Sequence, residues 1–269
     1  MRKFILSIIA LFFITGAPSL AQGSDFAYAQ YEALLKQYMK PHVTIDGISV
    51  NALDYSTLAQ DASKPNSSYS LLLKELAAFD TSVLGNQEEE MAFWINVYNI
   101  AAIKTIVDHY PVDSIRSRKI DWLGIPWGRK AITVGAREYS LEEIEYSKLV
   151  EAFKDLRIHF GINCASVSCV DLRTEPYRAV MLFKELEEQG KRFLENSKKG
   201  MQIDRAGKMV YLSQIFMFDK KHFDAYAGGA IKFILPYLPE QDREFLRSGK
   251  FDVEYLNYDW NANDLKNAK

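Results

Sequence analysis

The segment QEEEMAFWINVYNIAAIKTIVDH, residues 87–109, predicts a long helix at the centre of the fold. Three glutamates in its first turn, Glu88–Glu90, suit the positive end of a helix dipole, and Pro111 ends the helical pattern. Apolar side chains recur at helical spacing on two faces, one running through Trp94 and the other through Ile95. A helix that is apolar on more than one face is normally buried, so the rest of the chain is expected to pack around it.

Shorter predicted elements lie on both sides of this helix. Helical spacing and capping residues predict further helices at residues 25–39, 70–79, 140–153, 176–196, 220–238 and 242–246. Alternation and turn residues predict hairpins at 43–50 and 131–139 and strands at 157–162, 209–212 and 251–258. Because helices and strands are interspersed without regular alternation, we expect an α+β fold. It would be a single domain with a buried central helix, several packed helices and a small, mostly antiparallel sheet.

The N-terminus has the three regions of a secretory signal peptide. Arg2 and Lys3 are positive, Phe4–Ile14 is an apolar run, and small residues precede a cleavage point after Ala21. The apolar run is shorter than the roughly 20 residues that span a bilayer. We therefore expect a signal peptide over residues 1–21, a single domain over residues 22–269, and export to a periplasm or the medium. No stable membrane insertion is expected after cleavage.

Composition excludes several classes of function. Hydrophobic residues make up 48% of the chain, enough for a substantial core, and the formal net charge is −2. This charge argues against a nucleic-acid binder, because such proteins neutralise phosphates with an excess of basic residues. The sequence has no glycine-rich phosphate loop and no nucleotide fingerprint, so no cofactor is predicted.

The segment RIHFGINCASVSC, residues 157–169, has the highest density of reactive side chains. In a catalytic interpretation, Cys164 or Cys169 is a nucleophile, and His159 or His222 is the base that keeps it ionised. A carboxylate such as Glu145 or Asp259, or the amide of Asn163, would then orient the imidazole.

Two other interpretations of the thiols are open. Cys164 and Cys169 could form a disulfide if the small residues between them let the loop fold back, and a reversible bond would make a redox protein. Together with His159 they could also bind a metal, but the spacing matches no common zinc motif, so no metal site is predicted.

Further residues are candidates for substrate binding. Asn163 and Ser168 could shape a pocket or donate to an oxyanion, and Trp127 could stack on a substrate from its loop. Asn96 lies on the predicted central helix, where tying the helix to nearby backbone is the favoured interpretation and ligand binding the alternative.

Several of these motifs occur in the same order in one known family. The chain resembles the domain of unknown function 547 family from about residue 88 to residue 261, through FWINVYN (93–99), HYPVDSI (109–115), SLEEIE (140–145), RIHF with NCASVSC (157–169) and NYDW (257–260). It departs from the family pattern at Tyr146, where the family usually has His, and at Val170, where it usually has Pro.

The resemblance implies no settled activity, but it implies that the thiol pair goes with the fold. Some members of the family look intracellular, where a purely structural disulfide fits poorly, so the resemblance favours functional thiols. The leading hypothesis is a thiol-dependent hydrolase or acyl transferase that acts on a peptide, amide or ester. The alternatives are a thiol–disulfide redox protein, or a non-catalytic envelope binding module that is held by a structural disulfide. The expected partner is a small-molecule or peptide substrate.

Overall fold

The computed structural model describes Phe26 and residues 28–269, so the predicted signal peptide lies outside the described residues. The predicted central helix runs over Gln87–Asp108. It begins where the Asn86 side chain accepts a hydrogen bond from Glu89 N at 2.9 Å. Every residue from Met91 to Ile103 is buried, which confirms a helix that is enclosed on all sides.

Some of the other helical segments, among them Tyr55–Ala62 and Glu143–Val150, pack directly against this one. The other α-helices are Ala29–Tyr38, Tyr55–Ala62, Ser68–Ala78, Glu151–Phe153, Leu182–Glu195, Ile215–Phe218, Lys220–His222, Ala230–Ile234 and Glu240–Arg247. Two segments have the wider π-helical turn, Glu143–Val150 and Phe223–Ala227, and short 3₁₀ turns connect other elements. The first π-helical segment follows a capping box in which Ser140 N donates to Glu143 at 2.8 Å and Glu143 N donates to Ser140 Oγ at 3.1 Å.

The strands form three small sheets. Met39–Ile45 pairs with Ile48–Leu53, and Lys130–Val134 pairs with Arg137–Ser140, both antiparallel. Met201–Asp204, Met209–Leu212 and Asp252–Tyr255 form the third sheet, in which the last strand is parallel to its neighbour. The predicted α+β class with mostly antiparallel pairing is confirmed, with the strands divided among three sheets.

The strand predicted over residues 157–162 is wrong. The chain forms a 3₁₀ helix over Leu156–Phe160, which begins where the Asp155 side chain accepts a hydrogen bond from Arg157 N at 3.0 Å. Strand alternation would place His159 and Phe160 on opposite faces, only one of which would be buried, yet both side chains are buried. Phe160 fits closely against Gly190, where an added Cβ would lie 2.5 Å from the Phe160 ring.

The C-terminal segment returns to the middle of the chain and encloses the cysteine segment. Val167 N donates to Asn261 O at 2.9 Å, and Ser168 N donates to Asp259 O at 3.2 Å. One continuous cluster of buried apolar side chains reaches from Phe26 to Ala262. Within the part of the chain that the structure describes, no helix has both the length and the apolar character to cross a membrane.

Candidate functional site

A cavity of about 360 Å³ opens beside the central helix. It contains five residues that the sequence singled out: Cys164, Cys169, His159, Glu145 and Trp127. The remaining lining residues are Tyr98, Ile125, Gly128, Glu142, Tyr146, Ile162, Ile215, Phe218, Asp219, Tyr258 and Trp260.

The loop between the cysteines folds back on itself. Asn163 organises this turn, because its side chain accepts from Ala165 N at 2.8 Å and donates to Val170 O at 2.6 Å. Ala165 has a φ of 59°, in the left-handed region that costs energy for a residue with a Cβ. Cys169 N donates to Ser166 O at 3.2 Å, which closes the turn and brings both sulfurs to the cavity.

The two cysteines are free thiols, so the disulfide alternative is not what this structure contains. Cys169 Sγ accepts a hydrogen bond from Cys164 N at 3.2 Å and donates to Ile162 O at 3.7 Å. The loop does fold back as a disulfide would require, but the two thiols are joined by a hydrogen bond.

Hydrogen bonds make Cys164 the more acidic thiol. Its Sγ lies 3.1 Å from Ser166 Oγ and 3.4 Å from Tyr258 OH, and these two hydroxyls are 3.1 Å apart. The hydrogen bond with Cys169 is the largest influence and, with those from Ser166 and Tyr258, outweighs burial and lowers the pKa of Cys164 to about 7. The same interaction and burial raise the pKa of Cys169 well above its usual range.

A buried carboxylate on another wall of the cavity is hydrogen-bonded to two histidines, of which one, His159, also lines the cavity. His159 Nε2 lies 2.7 Å from Asp219 Oδ2, and His222 Nδ1 is hydrogen-bonded to Asp219 Oδ1. Burial opposes the charge of Asp219, but the two histidines outweigh it and lower the pKa of this carboxyl. His222 is also buried, with an exposure of 7%.

The imidazole and the thiols share the cavity without a direct hydrogen bond among the described residues. The donors to Cys164 are hydroxyls and a thiol, where the sequence had predicted an imidazole. The carboxylate that orients His159 is Asp219, whereas the sequence had offered Glu145, Asp259 or Asn163.

Glu145 lies on the cavity wall within the first π-helical segment. Tyr98 OH donates to Glu145 Oε2 at 3.2 Å. Burial raises the pKa of Glu145, although the neighbouring His159 and the Tyr98 hydroxyl oppose the change. The segment thus places a carboxyl that resists ionisation beside the thiols.

The side chains of three residues that were predicted to bind substrate are hydrogen-bonded to backbone groups. Asn96 donates to Tyr177 O at 2.8 Å and accepts from Tyr177 N at 2.9 Å, as its favoured structural interpretation required. Asn163 shapes the loop, and Ser168 Oγ accepts from Asp259 N at 2.9 Å. None of these three side chains lines the cavity, so a direct contact with substrate stays a prediction.

Trp127 does line the cavity, as part of an aromatic cluster. Its ring lies 5.6 Å from that of Trp260, which contacts Phe218 at 5.6 Å and Tyr258 at 4.4 Å between ring centroids. These aromatic side chains give the cavity a wall that is largely apolar.

Sequence reasoning missed Asp219 and Tyr258 as functional residues. The Asp219–His222 spacing of three residues on one helical turn could have indicated a pair, and NYDW was recognised only as a family motif. Among the described residues, no group of three or more His, Cys, Asp or Glu side chains is arranged to hold a metal ion.

Fold and site together define an α+β protein with two free thiols in an open cavity. The family model described as Protein of unknown function, DUF547 matches residues 83–194, and over this segment the chain is similar to that family. The match covers the central helix, the first π-helical segment and the cysteine loop, while NYDW lies beyond it. No curated protein and no solved structure gives a significant match.

Proposed function

We propose that this protein is a cysteine-nucleophile enzyme that hydrolyses or transfers the acyl group of a neutral ester, amide or peptide. The observation that carries the proposal is the set of hydrogen bonds that lowers the pKa of Cys164 to about 7 in an open cavity. A thiol with such a pKa is about half ionised at neutral pH, and the thiolate is the form that attacks a carbonyl carbon.

The hydrogen bonding of His159 supports a role for this residue in proton transfer. Its Nε2 is engaged by Asp219, and among the described residues Nδ1 has no hydrogen-bond partner. A carboxylate that orients an imidazole also stabilises the imidazolium form. In the proposed reaction, His159 protonates the leaving group as the thioester forms on Cys164 and then deprotonates the water or amine that releases the acyl group.

The charged residues that line the cavity restrict the class of substrate that it can bind. Among the described residues, its lining includes the acidic residues Glu142, Glu145 and Asp219 but no lysine or arginine. A substrate with a carboxylate or phosphate in the cavity would lack a cationic partner, so neutral acyl groups and amine acceptors fit best. The apolar wall around Trp127, Phe218 and Trp260 favours an apolar acyl group.

The test is to trap the acyl-enzyme. The purified protein is incubated with neutral p-nitrophenyl esters and with matched esters that carry a carboxylate, and the adduct is located by peptide mass measurement. The expected result is a thioester on Cys164 from the neutral esters, lost in Cys164→Ser and strongly slowed in release in His159→Ala. Acylation at scattered lysines, or no adduct on Cys164, would contradict the proposal.

A second candidate is thiol–disulfide exchange, and the hydrogen bond between the thiols favours it. The thiolate of Cys164 would attack a substrate disulfide and release one sulfur as a thiolate. Cys169 would then attack the mixed disulfide, oxidising the pair while the substrate is reduced. Cys169→Ser separates the candidates, because it abolishes turnover in a disulfide reductase assay, whereas acyl transfer by Cys164 is slowed through the altered pKa of its thiol but persists.

A further inference from the structure

The segment of residues 116–130, here named the tryptophan loop, exposes large apolar side chains beside the cavity mouth. Trp122 is 76% exposed, Leu123 67% and Ile125 60%. Ile125 and Trp127 also line the cavity, so this apolar surface continues into the candidate site. Contiguous exposed apolar side chains in a folded protein mark a contact surface.

The loop holds these side chains outward through an ordered turn. Asp121 Oδ1 accepts from Leu123 N at 2.9 Å and from Ile125 N at 3.2 Å, and Asp121 O accepts from Gly124 N at 2.8 Å. Arg116 Nε donates to Gly124 O at 3.1 Å, and Gly124 has the positive φ of 69° that favours glycine. Because the turn is held by its backbone and Asp121, exposure of its apolar side chains is a defined feature of the fold.

Basic residues surround the apolar tip. Five exposed basic residues lie within the loop against a single acidic residue: Arg116, Arg118, Lys119, Arg129 and Lys130 against Asp121. Arg129 pairs with Asp121 and Lys130 with Glu143, whereas no carboxylate among the described residues pairs with Arg116, Arg118 or Lys119. The loop is thus strongly positive in a chain whose net charge is −2.

We infer that the tryptophan loop binds the surface of an anionic lipid bilayer, with Trp122, Leu123 and Ile125 inserted among the lipids and the basic residues on the headgroups. Amphipathic aromatic rings favour the membrane interface, and basic residues next to it are attracted to anionic lipids. The positive loop disfavours a second copy of the chain as occupant, because two such loops face to face would repel each other. This inference does not depend on the proposed chemistry of the thiols.

The experiment measures binding of the full chain to vesicles by flotation. One set of vesicles is phosphatidylcholine alone, and the other is phosphatidylcholine mixed with phosphatidylglycerol. We expect binding to the anionic set, weakened by salt, and little binding to the neutral set. Replacing Trp122, Leu123 and Ile125 together by Ser should weaken binding at least about ten-fold, and Arg118→Gln about five-fold.

Two further measurements make the result decisive. Val180→Ser removes a side chain that is 93% exposed outside the loop, and it should leave vesicle binding unchanged. The tryptophan emission of the unmodified protein should shift to shorter wavelength on anionic vesicles, and the shift should be reduced in Trp122→Phe while binding is retained.

Three outcomes would overturn the inference. The first is failure of the unmodified protein to bind anionic vesicles. The second is binding that the triple substitution leaves unchanged although circular dichroism shows it to be folded. The third is a dimer that dissociates on the triple substitution, which would show that a second copy covers the loop.

Discussion

His159 Nε2 lies 2.7 Å from Asp219 Oδ2, although the two residues are sixty positions apart in the chain. The second oxygen of the same carboxylate engages His222, so one buried acid orients two imidazoles, of which that of His159 lines the cavity. The pair also joins the 3₁₀ helix Leu156–Phe160 to the helical turns around residue 220. Asp219 therefore contributes both to the stability of the fold and to the geometry of the candidate site.

We predict that Asp219→Asn lowers the free energy of unfolding by about 3 kcal/mol at neutral pH, because it breaks a buried charged network. Folding lowers the pKa of Asp219. The stability that this carboxylate contributes is therefore present above about pH 4, where an unfolded aspartate is ionised. It is lost as the pH falls through the pKa of Asp219 in the folded state. Denaturant unfolding at several pH values measures this. Asp224→Asn is the control, because Asp224 is exposed and pairs with the exposed Lys220, and equal losses in both variants would contradict the prediction.

We predict that Tyr258→Phe and Ser166→Ala each raise the pKa of Cys164 from about 7, because each removes a hydrogen bond to its sulfur. A loss comparable to one hydrogen bond would slow alkylation of Cys164 about five-fold at pH 7, with the rate recovering at alkaline pH. The measurement is the pH profile of iodoacetamide labelling. Tyr226→Phe, which removes a hydroxyl away from the thiols, should leave the profile unchanged.

The sequence could predict the central helix because its apolar residues repeat at helical spacing on two faces. It could also gather His159, Cys164 and Cys169 into one site, because the three lie within eleven consecutive positions. Both predictions needed only residues that are close to one another in the sequence.

The partners of these residues come from distant parts of the chain. Asp219 and Tyr258 reach the cavity through tertiary packing, and a single sequence holds no pattern that pairs them with His159 and Cys164. The alternating pattern over residues 157–162 wrongly predicted a strand because tertiary packing, which the sequence pattern does not contain, buries both His159 and Phe160.

Two buried asparagines on the central helix, Asn99 and Asn96, make the same kind of hydrogen bonds to backbone groups and can be compared as variants. Asn99 donates to Gly161 O at 2.9 Å and accepts from Asn163 N at 2.7 Å, next to the cysteine loop, whereas Asn96 holds Tyr177. We predict that Asn99→Ala and Asn96→Ala each cost about 2–4 kcal/mol of stability, because each leaves two buried backbone groups without partners. Only Asn99→Ala should also change the labelling rate of Cys164, and equal effects of both variants on that rate would show that the loop does not depend on Asn99.

Glu145→Gln is predicted to stabilise the protein at neutral pH. Burial raises the pKa of Glu145, so the folded state holds its proton more tightly than the unfolded state does. In strong acid both states are protonated, and the variant should match the unmodified protein. As the pH rises above about 4.3, the unfolded glutamate ionises first, and the unmodified protein loses stability until the pH exceeds the pKa of Glu145 in the folded state.

Glu142→Gln, at an exposed position on the same cavity, is the control, and denaturant unfolding across this pH range is the measurement. A Glu145→Gln variant that is less stable at neutral pH and equal in acid would mean that the folded protein stabilises the carboxylate, the opposite of what its burial implies.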